Sequence, residues 1–539
     1  MDNRIYIFDT TLRDGQQCPG AGMSFEDNLK YAHLATAVGV DIIEAGFPAA
    51  SNLDFEIVKE IADQIGSSDM SYDENGNWAS AKIAALCQLR EDQIEKTAQA
   101  LSPAIRSKRA RLHVYLPVDP DLMIASLGDK ASDRNFLINQ LSRHIKYAVS
   151  EGLEVEFSPE GYSRMRDNFD FTTDLIRAAI ESGATVINLP DTIGGAFQYQ
   201  GDDYIVNLIN RHFNIISKEF TDTPIVWSAH CHNDFGLATI NTLNAVFGGP
   251  VRQIEGCFNG IGERAGNASL EQCILLLNQF GGVGNSFWSN AKASMIQKIC
   301  NFVSERMLKT QDHYPISGKN AMRHTSGGHT NAILKNPTIY QPFDPSIIGS
   351  EISLVFGPLS GGNHAKSIIE GMNYICSDEE KVEISQYIKN LYSDRRKGIT
   401  DEEVVKGYID FRSPLRVSEI YYSKSSNRSE VSLKGSVFGR AGEYRSEHIG
   451  QDSALAALKE FIDGIIPNLS INSYFSESLG EGVSAKSLSR IVVSDNSNRL
   501  YSGEGTDQDI EIAAMKALIS AVNNYYVESN YKSLNHKMS

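Results

Sequence analysis

Short apolar or β-branched runs recur through residues 1–280, and each is followed by a stretch whose apolar positions repeat at helical spacing. The runs lie at 5–8 (IYIF), 40–47, 82–87, 111–117, 154–158, 185–190, 225–232 and 252–258, and each reads as a strand. Residues 25–38 (FEDNLKYAHLATAV), 134–150 and 168–182 read as amphipathic helices between them. Eight strand-then-helix units, with no GxGxxG after the first strand, predict a closed (β/α)8 TIM barrel rather than an open doubly wound sheet. The fold class expected is therefore α/β, with the barrel over residues 1–295.

The rhythm changes twice beyond the barrel. Residues 296–412 are mostly helical in pattern and charged, and they hold the His- and Gly-rich stretch GKNAMRHTSGGHTNA (318–332), YQPFDP (340–345) and FGPLSGGNH (356–364). They are expected to form helical linker subdomains. From 413 to 539 alternating strand patterns with Ser, Asn and Gly turns predict an α+β domain. LAALKEFI (455–462) and IAAMKALI (512–519) align residue for residue, each after an Asp-containing turn (Asp452, Asp509). That internal repeat reads as a ligand-sensing or dimerising module.

Composition narrows the function classes. The 539 residues carry 50 basic and 67 acidic side chains, net -17, which argues against nucleic acid or an anionic membrane as the main partner. Seven scattered cysteines with no CxxC pair give neither a disulfide framework nor a structural zinc site, and they suit a reducing cytoplasm. No run approaches the ~18 apolar residues of a membrane span. The first strand begins at Ile5, so a cytosolic chain without a cleaved signal is expected.

A barrel of this kind keeps its chemistry at the C-terminal ends of its strands. Those ends are unusually polar here: Arg13, Asp14 and Gln17 after strand 1, Glu44 on strand 2, His113 on strand 4, and Glu156, Ser158 and Glu160 on strand 5. Asp191 and Thr192 follow strand 6, His230 and His232 stand on strand 7, and Asn267 follows strand 8. Gln17, Glu44, His113, Ser158 and Thr192 are the candidate substrate-binding residues.

HCHND (230–234) carries the sharpest signal. Histidines at i and i+2 of a strand face the same way and can offer two imidazoles to one ion. Asp14, at the end of the strand neighbouring strand 8, can join them, as can the amide oxygen of Asn267. Such a set leaves positions open for substrate, as in a catalytic site, and suits Zn, Mn, Co or Mg without choosing among them.

DTTLRDG (9–15), EAGFP (44–48), NLPDT (188–192), HCHND and NGIGERAGN (259–267) together resemble the metal-dependent Claisen-condensing barrels. That group contains the 2-isopropylmalate, citramalate and homocitrate synthases and lyase relatives. The segment 501–523 is similar to the leucine-binding regulatory domain of the first of these. The resemblance implies condensation of acetyl-CoA with a 2-oxo acid, followed by thioester hydrolysis. It implies Arg13 as the group that stabilises the developing alkoxide and Thr192 as the carboxylate contact. Glu160, with His329 and Tyr340, is implied to remove the methyl proton. It further implies leucine as feedback inhibitor and a homodimer or higher homo-oligomer, in which the linker reaches over the partner's barrel.

Homocitrate synthases place an arginine two residues before the strand 5 serine. Glu156 stands there in this chain, so a monocarboxylic acceptor is expected: 2-oxoisovalerate, with pyruvate as the alternative. The chain departs from the family pattern at Cys18, GGHTNA (327–332), FGPLSGGNH and HIGQDSA (448–454). A lyase on the same barrel is the remaining alternative.

Overall fold

The computed structural model describes residues 3–67, 81–282, 287–395, 398–450, 453–480 and 485–533. The expected eight-strand barrel is present. Among the described residues β1 (Tyr6–Asp9), β2 (Ile42–Glu44), β3 (Lys82–Cys87), β4 (Ala110–Pro117), β5 (Glu154–Glu160), β6 (Val186–Asp191), β7 (Val226–Cys231) and β8 (Gln253–Gly256) close in chain order, all parallel, with β1 pairing β8. Register is set by the apolar residues that face the surrounding helices, such as Ile43, Ile83 and Leu112, which are fully buried.

The helices start and stop where local chemistry dictates. Ser24 caps Phe25–Val38 by accepting from the Asp27 amide at 3.1 Å, and Gly39, at φ 92°, ends it in the left-handed region. Arg134–Ser150 and Phe169–Glu181 occupy the other two predicted stretches. The helix Ile296–Arg306 packs on the Phe25–Val38 helix, burying Ile299, Cys300 and Val303 in the barrel's core. The first compact unit accordingly runs through Met322 and takes in Phe343–Ile352.

The inward positions of the barrel are polar below the mouth. Because inward side chains recur every second residue, Glu154, Glu156, Ser158 and Glu160 stack along the barrel axis. Arg111 Nη1 donates to Glu156 Oε2 (3.0 Å) and to Gln253 Oε1 (2.7 Å), and Gln253 Nε2 donates to Glu156 Oε1 (2.7 Å). Arg111 and Gln253 pair with Glu156 inside the barrel, yet burial and the nearby Glu255 push the Glu156 carboxyl well above the usual range.

The second unit comprises Arg323–Pro342 and Ser353–Ser539. A two-residue parallel pair, β9 (Arg323–His324) and β10 (Ser353–Leu354), accompanies the helices Gly327–Ile333, Gly362–Gly371, Lys381–Leu391 and Asp401–Arg412. The last three share a core of Ile369, Ile384, Ile388, Val404 and Tyr408.

The internal repeat is visible as two copies of one unit. β11 (Leu415–Ser425), β12 (Arg428–Val437) and β13 (Arg440–Ile449) precede the helix Ala454–Ile465. β14 (Ser470–Leu479), β15 (Lys486–Ser494) and β16 (Leu500–Asp507) precede the helix Ile510–Tyr531. Each antiparallel sheet bulges near the start of its first strand, between Val417 and Glu419 and between Ile471 and Ser473. Both helices bury their apolar faces in one core with Leu433, Leu458, Val493 and Leu518. Asp509 caps its helix through the amides of Glu511 and Ile512; Asp452 lies outside the described residues.

Candidate active site

The polar strand ends converge on a cavity of about 280 Å³ at the C-terminal mouth of the barrel. Asp14, His230 and His232 form its metal-competent corner: their ligand atoms all lie within 4.8 Å of one another, and the residues are only 3–7% exposed. β7 carries His230, His232 follows its end in a bridge to Asn267, and the two Nε2 atoms face each other at 3.3 Å. Burial outweighs the attraction of Asp14 and pushes His230 and His232 down to about 4, so both rings are neutral near pH 7. Burial opposes ionisation of Asp14 as well, but Arg13, with Nη1 at 2.6 Å, overcomes it and holds that carboxyl well below the usual range. Two neutral imidazoles and a carboxylate are the donor set that a divalent cation takes. The Nδ1 atoms, across each ring from the facing Nε2 pair, and Asn267 Oδ1 are buried without a hydrogen-bond partner.

Asn267 is beside the trio in a particular orientation. Its Nδ2 donates to Asp14 Oδ1 (2.7 Å) and to the Ile261 carbonyl (3.1 Å), so here the amide steadies the carboxylate; a half-turn of the amide would present its oxygen instead. Gly262 makes room for this contact. At φ 151°, an added Cβ there would come 2.1 Å from Asn267 Nδ2 and 2.7 Å from Asp14 Oδ1, so the loop after β8 requires glycine.

Arg13 faces the cavity and is tied behind by carboxylates, its Nε donating to Glu44 Oε2 at 2.6 Å. Glu44 itself stands behind the wall, fully buried, accepting from Thr10 Oγ1 (2.6 Å) and pairing with His113 Nδ1 (2.8 Å). Burial opposes its charge, yet Arg13 and His113 bring Glu44 down to about 2; in return, against its own burial, Glu44 lifts His113 to about 9. The imidazolium reaches across to Ser158 Oγ at 2.7 Å, and Ser158 also accepts from Asn188 Nδ2 at 2.9 Å. Glu44 thus orients two cavity residues and does not line the cavity.

The remaining candidates take distinct places. Glu160 and Gln17 stand at the rim, Gln17 exposed and Glu160 half-buried, and burial followed by the charge of Asp119 raises Glu160. Thr192 Oγ1 accepts from the Gly161 amide at 2.9 Å, leaving its hydroxyl hydrogen free for a substrate oxygen. Asp191 turns away, accepting from Ser163 Oγ and from the amides of Gly195 and Ala196. His329 and Tyr340 belong to the second unit, where their rings stack at 3.9 Å.

Glu156 corrects an expectation. It sits one layer below Ser158 on β5, held by Arg111 and Gln253, and it does not face the cavity. Depth along the barrel axis decides this: of the four stacked positions on β5 only Ser158 and Glu160 reach the mouth. Leu86 and Tyr115 also line the cavity although no motif marks them, and Asn188, Pro190, Glu263 and Arg264 line it from within NLPDT and NGIGERAGN. The alternation of β4 could have found Tyr115, two residues beyond His113, and that of β6 could have found Asn188 and Pro190, four and two residues before Thr192.

Comparison with known proteins bears on the same residues. Residues 4–303 match the HMGL-like family, 316–397 the homocitrate synthase post-HMGL domain-like family, and 415–526 the LeuA allosteric (dimerisation) domain. The 2-isopropylmalate synthase of Pelotomaculum thermopropionicum is 33% identical over 97% of this chain and 98% of its own length. That of Heliobacterium modesticaldum is 34% identical over 97% of each chain. The chain belongs to the 2-isopropylmalate synthase family. The Aquifex aeolicus member is 32% identical over 98% of both chains, so the likeness to the family runs through barrel, linker and C-terminal repeat alike. As a member of that family the chain is an enzyme of the transferase class, with an allosteric domain appended to a TIM barrel.

Proposed function

We propose that this enzyme condenses acetyl-CoA with 2-oxoisovalerate and hydrolyses the resulting thioester, giving 2-isopropylmalate and CoA, the first committed step of leucine biosynthesis. The observation that carries the reading is the trio Asp14, His230 and His232 in the wall of a cavity that also holds Arg13 and Glu160. The trio would hold a divalent cation, which would supply Lewis-acid polarisation of the acceptor carbonyl. Glu160, kept basic by burial and by Asp119, takes a proton from the acetyl methyl group, and the carbanion equivalent attacks the keto carbon. Arg13 donates to the oxygen that gains negative charge as the carbon–carbon bond forms. Thr192 and the His113–Ser158 pair hold the acceptor's carboxylate end. Water then cleaves the thioester, CoA leaves as the thiol, and the new carboxylate makes the sequence effectively irreversible. His329 and Tyr340 are assigned to the acid–base steps by family resemblance.

A monocarboxylic acceptor fits the lining. Leu86 is apolar, and the cations there are already engaged: Arg13 with Asp14 and Glu44, Arg264 with Asp234, His113 with Glu44. No unpaired cation among the described lining residues waits for a second carboxylate. We further assign leucine as feedback inhibitor acting through residues 413–539, and a homodimer as the working form, on the strength of the allosteric domain. Free thiols at the described cysteines suit the cytoplasm. Release of CoA thiol from acetyl-CoA, compared across 2-oxoisovalerate, pyruvate and 2-oxoglutarate, tests the assignment.

A further inference from the structure

His230 has a second partner, on the side away from the cavity. β7 and β8 set His230 directly opposite Glu255 in their parallel register, and both side chains point into the barrel. His230 Nδ1 lies 3.2 Å from Glu255 Oε2, slightly out of hydrogen-bonding alignment, and neither atom has any other hydrogen-bond partner. The other oxygen of Glu255 is fixed from behind, accepting from Ser228 Oγ (3.1 Å) and Gln253 Nε2 (3.3 Å). Gln253 is anchored in turn by Arg111 and Glu156. One carboxylate oxygen is thus held by the barrel interior, and the other is left facing a single ring nitrogen.

We propose that Glu255 is a positioning residue for the metal site: it accepts the Nδ1 hydrogen of His230 and so commits Nε2, the nitrogen facing His232, to be the bare donor. The proposal rests on the metal-site reading of Asp14, His230 and His232. Its physical basis is that a ring nitrogen must lack hydrogen to bind a cation, and the hydrogen bond at the opposite nitrogen decides which one does. No other hydrogen bond among the described residues makes that choice for His230, because the hydrogen-bond contact of Nε2 is to another imidazole.

Glu255→Gln keeps the shape and reverses the instruction. Ser228 Oγ and Gln253 Nε2 both donate to the inner oxygen, so the amide places its oxygen there and turns its NH2 toward His230. Nδ1 must then accept, the hydrogen moves to Nε2, and the metal-facing nitrogen is blocked. Titration of the metal-free full-length protein with Mn²⁺ in a calorimeter is the test, with thermal melting of the metal-free proteins beside it. The expected result is a 10–100-fold weaker Mn²⁺ affinity in Glu255→Gln, the range for losing an outer partner of a ligating histidine, with a metal-free melting transition like that of the parent. Should that variant not fold, Ser228→Ala, which frees the inner oxygen without touching His230, is expected to weaken Mn²⁺ binding in the same direction. Parent-like Mn²⁺ affinity in the folded variant that is measured overturns the role of Glu255. If His232→Ala has meanwhile lost binding, the metal site itself stands and only the positioning claim fails. A parent protein that binds no Mn²⁺ overturns both.

Discussion

His113 Nδ1 lies 2.8 Å from Glu44 Oε1 in the wall of the barrel mouth, an ion pair between two buried side chains. The two groups titrate in opposite senses. His113 is raised to about 9, so its contribution to stability is complete below the unfolded histidine value of about 6.5 and is lost as pH rises through about 9. Glu44 is lowered to about 2, so its contribution is present above about 4.3 and is lost as pH falls through about 2. Melting temperature measured between pH 6 and 10 should therefore fall on the alkaline side. His113→Gln should be less stable at neutral pH and lack that share of the alkaline decline; a variant that keeps the full decline would remove the pair from the account.

Glu160→Gln should lower turnover by roughly 10²- to 10⁴-fold, the usual worth of a positioned base. Metal affinity should stay near that of the parent, because Glu160 is not among the clustered ligands. Because Glu160 is raised by burial and Asp119, the acid limb of kcat/KM should lie above the ordinary carboxylate range. A rate profile with unchanged turnover in the variant would take the base role from Glu160.

The large divisions of this chain are legible in its sequence because they depend on local periodicity. Apolar runs mark all eight barrel strands, and the helix Phe25–Val38 has the predicted bounds because Ser24 and Gly39 punctuate it. HCHND announces itself since a two-residue spacing on a strand needs no tertiary knowledge. Depth along the barrel does need it. Glu44 and Glu156 read as mouth residues, yet strand register places one behind Arg13 and the other beneath Ser158. Leu86 and Tyr115 look like ordinary core positions until β3 and β4 end beside the cavity. The orientation of the Asn267 amide depends on Ile261 and Asp14, partners that sequence spacing does not supply.

In the second repeat, β16 lies almost directly on its own helix. An added Cβ at Gly503 would come 2.1 Å from the Ala521 amide nitrogen and 2.3 Å from the Ala517 carbonyl oxygen, both backbone atoms that cannot swing aside. Gly503→Ala is expected to destabilise this module by about 1–3 kcal/mol or more, as overpacking does. Denaturant unfolding of the full chain would register it, and an unchanged midpoint would contradict the close approach of β16 and the helix Ile510–Tyr531.

Leucine should bind the full-length protein and inhibit it, with coupling of roughly 1–3 kcal/mol or about 5- to 150-fold in apparent affinity. Calorimetry and inhibition kinetics on the same sample check both halves. Heat from isoleucine with none from leucine would move the reading to the citramalate branch.

Asp14, His230 and His232 are proposed to serve a condensation of acetyl-CoA with a monocarboxylic 2-oxo acid. That role is tested most directly by following CoA thiol release with each of three acceptors, with and without divalent metal. Release should be fastest with 2-oxoisovalerate, slower with pyruvate and essentially absent with 2-oxoglutarate, and all release should be lost on chelation or in His232→Ala. Equal release with 2-oxoglutarate, or release that persists in chelator, would contradict it.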